Sequence, residues 1–204
     1  MSAIYIKQPH MPSMGNNARA HNRRIREGFY DNFIAGHGLD IGCSVRKRSI
    51  SADAILWDRQ LGHGDATFLE QVSDNSFDYV MASHILEHIV DREEALRNWV
   101  RVTKPGGYLI VCVPERDLFE EKKTLPSLYN HDHKCFFKLD ESEPPDTFSL
   151  VDLLKTAKDE SDILYAKVCS ENWNGQKNRS PENARKIYPV GEFQIEAVLR
   201  KKNV

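Results

Sequence analysis

Between Leu39 and Pro114 four short apolar runs follow one another, "LDIGC", "AILWD", "FDYVMAS" and "YLIVCV", separated by turn or helix signals. They do not alternate with polar residues, as strands do not when a parallel sheet buries both of their faces. Between the last two lies "DREEALRNWVRVTKPGG", with Ala95, Leu96, Trp99, Val100 and Val102 near helical spacing. Asp91 and Glu94 are placed to cap its start, and Pro105-Gly106-Gly107 to stop it. Strand, helix and strand in that order form a crossover unit, so the pattern predicts an α/β sandwich.

The remainder is less regular. Residues 1–36 are polar, carry Arg19, Arg23, Arg24 and Arg26, and read as an arm or cap ahead of a core at 37–115. Residues 116–148 form a polar insertion ending in "DESEPPD". In the last part, 149–204, "FSLVDLLKTA" has the spacing of a short amphipathic helix, and "ILYAKVC" and "FQIEAVL" read as strands. The second alternates Phe193, Ile195, Ala197 and Leu199 with polar residues, as an antiparallel strand at a sheet edge does.

At 204 residues and 40% apolar content, a single domain is expected, able to bury a core without disulfides or structural metal. A net charge of -2 gives no global field toward nucleic acid or anionic membrane. No stretch approaches the roughly 20 apolar residues of a membrane span, and the amino end has no signal-like run, so a cytoplasmic location is expected. Cys43, Cys112, Cys135 and Cys169 lack CxxC spacing, so neither a disulfide frame nor a zinc site is indicated.

In an open parallel sheet, ligands collect at the carboxyl ends of the strands. Asp40 and Gly42 end the first apolar run, and Asp58 ends the second, at the distance where a carboxylate takes ribose hydroxyls. Asp65, after "GHG", is a third acid on the same rim. A dinucleotide pyrophosphate needs GxGxxG, but here the turn reads G-C-S-V-R-K, which disfavours NAD and FAD. No GxxxxGK[ST] phosphate loop is present.

"GLDIGC", "WD", "GDATFLEQVSDNSFDYVMASHILEHI" and "VRVTKPGGYLIVCVP", over about residues 37–115, together resemble a class I S-adenosylmethionine-dependent methyltransferase of the small-molecule type. "HDHKCFFKLD", with Lys47 after the GC turn, is similar to a subgroup associated with bacterial surface-polysaccharide and natural-product pathways. The resemblance implies a Rossmann-like, mostly parallel seven-stranded sheet with helices on both faces and an antiparallel last strand. It implies S-adenosylmethionine as cofactor, with Asp40 and Gly42 lining its methionine part, Asp58 on the ribose, and Asp65 with Ala66 at the adenine edge. Ser83 and His84 would lie near the sulfonium, and Cys43, Ser44 and Arg59 belong to the same expected rim. Ser44 departs from the family, standing where its second motif glycine usually lies. Only residues 44–53 separate Cys43 from the next run, so the usual first helix is expected to be short or missing.

That shortening brings Arg46, Lys47 and Arg48 toward the cleft, where Arg46 and Lys47 are candidates for a substrate phosphate or carboxylate, against a solvated charge run. Histidine is the base to expect near neutral pH. His84, His131 and His133 are the catalytic candidates, with His88 weighed as a structural residue of its turn and Asp132 as an acceptor contact. His131-Asp132-His133 as metal ligands would need a further partner that the sequence does not show, so no metal is expected. The expected reaction is methylation of a small polar acceptor, a sugar or sugar-phosphate hydroxyl, without nucleic-acid or membrane partners. The arginines at 19–26 motivate an RNA methyltransferase as the alternative, and Ser44 a non-catalytic S-adenosylmethionine-binding protein.

Overall fold

The computed structural model describes residues 16–43, 50–51, 53–174 and 190–203. Ser44, Arg46, Lys47 and Arg48 lie outside the described residues, as does the expectation about the first helix. Four parallel strands follow the four apolar runs: β1 (Gly38–Ile41), β2 (Ala54–Trp57), β3 (Phe77–Ser83) and β4 (Thr103–Pro114). Two more, β7 (Ser161–Cys169) and β8 (Gln194–Lys201), complete a sheet ordered β2-β1-β3-β4-β8-β7, with β8 antiparallel to both neighbours. A separate parallel pair, β5 (Phe136–Lys138) with β6 (Thr147–Ser149), stiffens the insertion.

The sheet thus has six strands among the described residues, not the expected seven. The segment between Trp57 and Phe77 holds a 3-10 turn at Arg59–Leu61 followed by turns. It has no apolar run able to cover a sheet edge, so β2 is the outer strand and Ile55 stays 45% exposed.

Helices cover both faces. On one, α3 (Arg92–Val102) and α4 (Leu150–Lys155) set Leu96, Trp99 and Leu154 against Leu39, Ile41 and Val111. Asp91 and Ser149 cap the two helices, accepting from the backbone N–H of Glu94 and Asp152. On the other face, α1 (Asn16–Arg26) and α2 (Phe29–Phe33) close over Tyr79, Met81, Ile110 and Val198. Cys43, Cys112, Cys135 and Cys169 are all free and buried.

Two sequence expectations change here. The strand read as a sheet edge is interior: every residue from Gln194 to Leu199 is buried. Its polar positions face charged partners rather than water, because Arg23 and Arg24 of α1 reach Glu196 at 2.9 and 2.6 Å, and Arg23 reaches Glu192 at 2.8 Å. The basic arm is therefore a covering helix whose Arg23 and Arg24 are buried in ion pairs. Burial pushes the Glu196 carboxyl up, but Arg24 and Arg23 outweigh it and hold the group at about 2.

Candidate active site

The carboxyl ends of β1 to β4 share one edge of the sheet, and the acids singled out from the sequence lie along it. Asp40 is buried, with Oδ2 accepting from the Ile50 N–H at 2.8 Å. Gly42 follows at a φ of 81°, and its N–H donates to the Trp57 carbonyl at 2.8 Å. A Cβ at Gly42 would meet the Ile85 Cβ at 3.0 Å, so the turn combines a left-handed conformation with a close approach that glycine alone fits without strain. The neighbouring Cys43 thiol is pushed above its usual value by burial and by the charges of Asp40 and Asp58.

Asp58 follows β2 and accepts from the Gln60 N–H at 2.8 Å, while its own N–H donates to His63 Nδ1 at 3.2 Å. Arg59 is exposed on the turn that follows. Asp65 accepts from the Thr67 N–H at 2.8 Å, and the Ala66 carbonyl from Trp99 Nε1 at 2.9 Å. Trp57, His63, Asp65 and Phe68 line a shallow depression beside Asp58, an aromatic recess with an acid on its rim.

Ser83 closes β3, and His84 follows with a φ of 55°. The His84 N–H donates to the Cys112 carbonyl at 2.8 Å, extending the β3–β4 ladder one residue beyond the strand. Its Nε2 lies 3.0 Å from both Asn16 Nδ2 and Gln194 Oε1, and its Nδ1 lies 3.6 Å from Glu87 Oε1. Helix α1, strand β8 and the 3-10 turn Leu86–His88 therefore all converge on this ring.

The insertion folds over the same edge. Lys134 N–H donates to the Glu87 carbonyl at 2.8 Å, and Cys135, Phe136 and Phe137 bury beneath it. His133 is buried, with Nδ1 3.2 Å from Glu120 Oε1, and its ring meets that of His88 edge-on at 4.9 Å. His131 is exposed and not part of this group among the described residues. Asp132 lies 3.3 Å from His88 Nδ1 and accepts from Lys134 Nζ at 2.9 Å. Sequence reading missed Glu87 and Glu120 altogether: burial raises both carboxyls, but His84 outweighs it at Glu87 and His133 at Glu120, so both titrate below the usual range. An acid buried inside "HILEH" was the available signal.

Residues 29–111 match the family described as "Methyltransferase domain". Among curated proteins, the chain is 38% identical over 101 residues to the demethylmenaquinone methyltransferase of Staphylococcus epidermidis, covering 50% of this chain and 39% of that protein. The chain thus spans well under two thirds of that relative, which, like the ubiquinone/menaquinone biosynthesis C-methyltransferase of Haemophilus ducreyi, is named for quinone methylation. Among solved structures, it resembles the 4+2 cyclase SpnF, with a TM-score of 0.53 and 16% identity over 96% of this chain and 85% of that one. It also resembles an S-adenosylmethionine-dependent methyltransferase from Archaeoglobus fulgidus, with a TM-score of 0.52 and 18% identity over 89% and 93%. Sheet order and helical cover agree with the α/β fold of these solved structures, and the match to the "Methyltransferase domain" family runs over residues 29–111 of the chain.

Proposed function

We propose that this protein transfers a methyl group from S-adenosylmethionine to a hydroxyl of a small polar acceptor, a sugar or sugar phosphate being the class in view. The observation that carries the donor is the Asp40-Gly42-Asp58-Asp65 rim at the ends of β1 and β2. Acids suited to hydroxyls and an exocyclic amine stand beside a turn where a Cβ would crowd Ile85, and the recess lined by Trp57, Phe68 and Asp65 offers both aromatic and acidic contacts for a purine. That donor set fits S-adenosylmethionine, which when bound supplies an electrophilic methyl group.

The chain's own residues then have three tasks: to align the acceptor with the donor, to exclude water, and to take the acceptor proton. His84 suits the last. Its Nε2 lies 3.0 Å from the Asn16 and Gln194 amides, which the acceptor hydroxyl displaces on this reading, while Glu87 behind Nδ1 offsets the charge that the ring gains on protonation. The insertion, seated through Lys134 and Cys135, covers the strand ends and excludes water. Quinone C-methylation is the second reading, favoured by the names of the relatives. The His84 ring is surrounded by Asn16, Gln194 and Glu87, polar neighbours that suit a hydroxylated acceptor better than an isoprenoid quinone.

Incubation with methyl-labelled S-adenosylmethionine and two panels, hydroxylated sugars with their phosphates and demethylated quinones, tests the choice. Label in the first panel supports this reading; label only in the second replaces it.

A further inference from the structure

Glu87, His88 and His133 come from two separate stretches of chain, yet one donor atom from each lies within 4.8 Å of the other two. His133 Nδ1 lies 3.2 Å from Glu120, and His88 Nδ1 lies 3.3 Å from Asp132 without the angle of a hydrogen bond. Glu120 is itself fixed by the Ser127 hydroxyl and by the Leu128 N–H at 2.8 Å. A carboxylate hydrogen-bonded at Nδ1 fixes the tautomer and leaves Nε2 to ligate; Glu120 stands in that place for His133, and Asp132 is within reach of it for His88. The Nε2 of His88 lies 4.0 Å from Glu87 Oε1, so the ring presents that atom to the acid.

A second observation is independent of this geometry. Glu87 is 2% exposed, and its Oε2 is buried without a hydrogen-bond partner among the described residues. A carboxylate oxygen removed from water and left without a donor is costly, and a bound cation removes that cost.

We propose that Glu87, His88 and His133 bind a divalent transition metal of the zinc type, leaving a further coordination position open toward the cleft. Two imidazoles and one carboxylate form a three-residue donor set that takes zinc with one position left over, whereas magnesium and calcium favour oxygen ligands. Ligation at about 2.0–2.1 Å draws tetrahedral donors to roughly 3.3 Å apart, so small side-chain rotations close the observed cluster. From the sequence no metal is expected, because His131-Asp132-His133 shows no further partner. The turn Leu86–His88 supplies two, His131 stays out, and Asp132 stands beside His88 Nδ1 instead of ligating. Glu87 also faces His84, so on the methyltransferase reading the open position takes the acceptor oxygen and makes its proton easier to remove. That role rests on the proposed function; metal binding itself does not.

The test uses the full chain stripped of metal and titrated with Co2+ in the absence of S-adenosylmethionine. The expected result is one equivalent bound, with the visible absorption of a low-coordinate Co2+ site, displaced by Zn2+. His133→Gln and Glu87→Gln, checked for folding by circular dichroism, are expected to weaken binding by roughly 100-fold or more, as lost direct ligands. The surface change Asp132→Asn is expected to weaken it by about 10-fold without threatening the fold. His37→Ala, at the opposite strand edge, is expected to bind like the parent chain. Absence of stoichiometric Co2+ binding, or an affinity unchanged in Asp132→Asn and in folded His133→Gln, would overturn the site. If Co2+ binds as expected but S-adenosylmethionine does not, the site stands and the acceptor role falls.

Discussion

His84 shows how one residue is specified by several elements at once. Its left-handed backbone is uncommon outside glycine and is held by the N–H bond to the Cys112 carbonyl, while Asn16, Gln194 and Glu87 surround the ring. Asparagine tolerates that backbone region better than most residues, so His84→Asn removes the imidazole with little disturbance to the turn. Its expected phenotype is a thermal midpoint close to the parent's and turnover lower by about 100-fold or more, the usual worth of a general base. Unchanged turnover would make His84 a wall of the cleft and nothing more. The same position illustrates a limit of sequence reading: "SHILEH" placed His84 at a strand end, but its Asn16 and Gln194 contacts lie across the whole chain.

At the scale of elements, α1 and β8 form a unit held by charge. Arg23 and Arg24 are buried against Glu192 and Glu196, and Tyr165 donates to Glu196 at 3.0 Å. Removing one partner of such a set leaves a buried charge exposed to the low-dielectric interior, so Glu196→Gln is expected to cost about 3–5 kcal/mol in urea unfolding. A loss below about 1 kcal/mol would place the pair with surface salt bridges instead. Because the Glu196 carboxyl is depressed from 4.5 to about 2 in the folded chain, its contribution is present above pH 4.5 and is lost as pH falls toward 2. Acid titration followed by circular dichroism should show destabilisation through that window, and a smaller acid dependence in Glu196→Gln. The buried arginines also remove much of the case for an RNA-binding arm: filter binding is expected to show no tight, salt-sensitive RNA complex, and finding one would restore that alternative. Sequence reading mistook β8 for an edge because alternation looks the same whether the polar face meets water or buried cations.

For the whole molecule, the legible part was the local part. Four non-alternating runs and a capped helix between two of them were enough for β1 to β4 and α3, since each signal lies within one element. The missing seventh strand was imposed by resemblance rather than by residues, and "RQLGHGDATFLEQVSDNS" carries no apolar run that could have formed it. The Glu87-His88-His133 group was invisible because its members meet only when the insertion closes over the sheet edge. Yet Asp40 with the glycine turn at the end of β1, Asp58 just after β2 and Asp65 in the following segment lie along one sheet edge, and that placement is the basis of the functional reading. Isothermal calorimetry with S-adenosylmethionine, on the parent chain and on Asp58→Ala, tests that basis most directly. One site per chain, weakened by about 10- to 100-fold when the charged hydrogen-bonding group at Asp58 is removed, is the expected outcome. No binding by the parent chain, or equal binding by both, would contradict it.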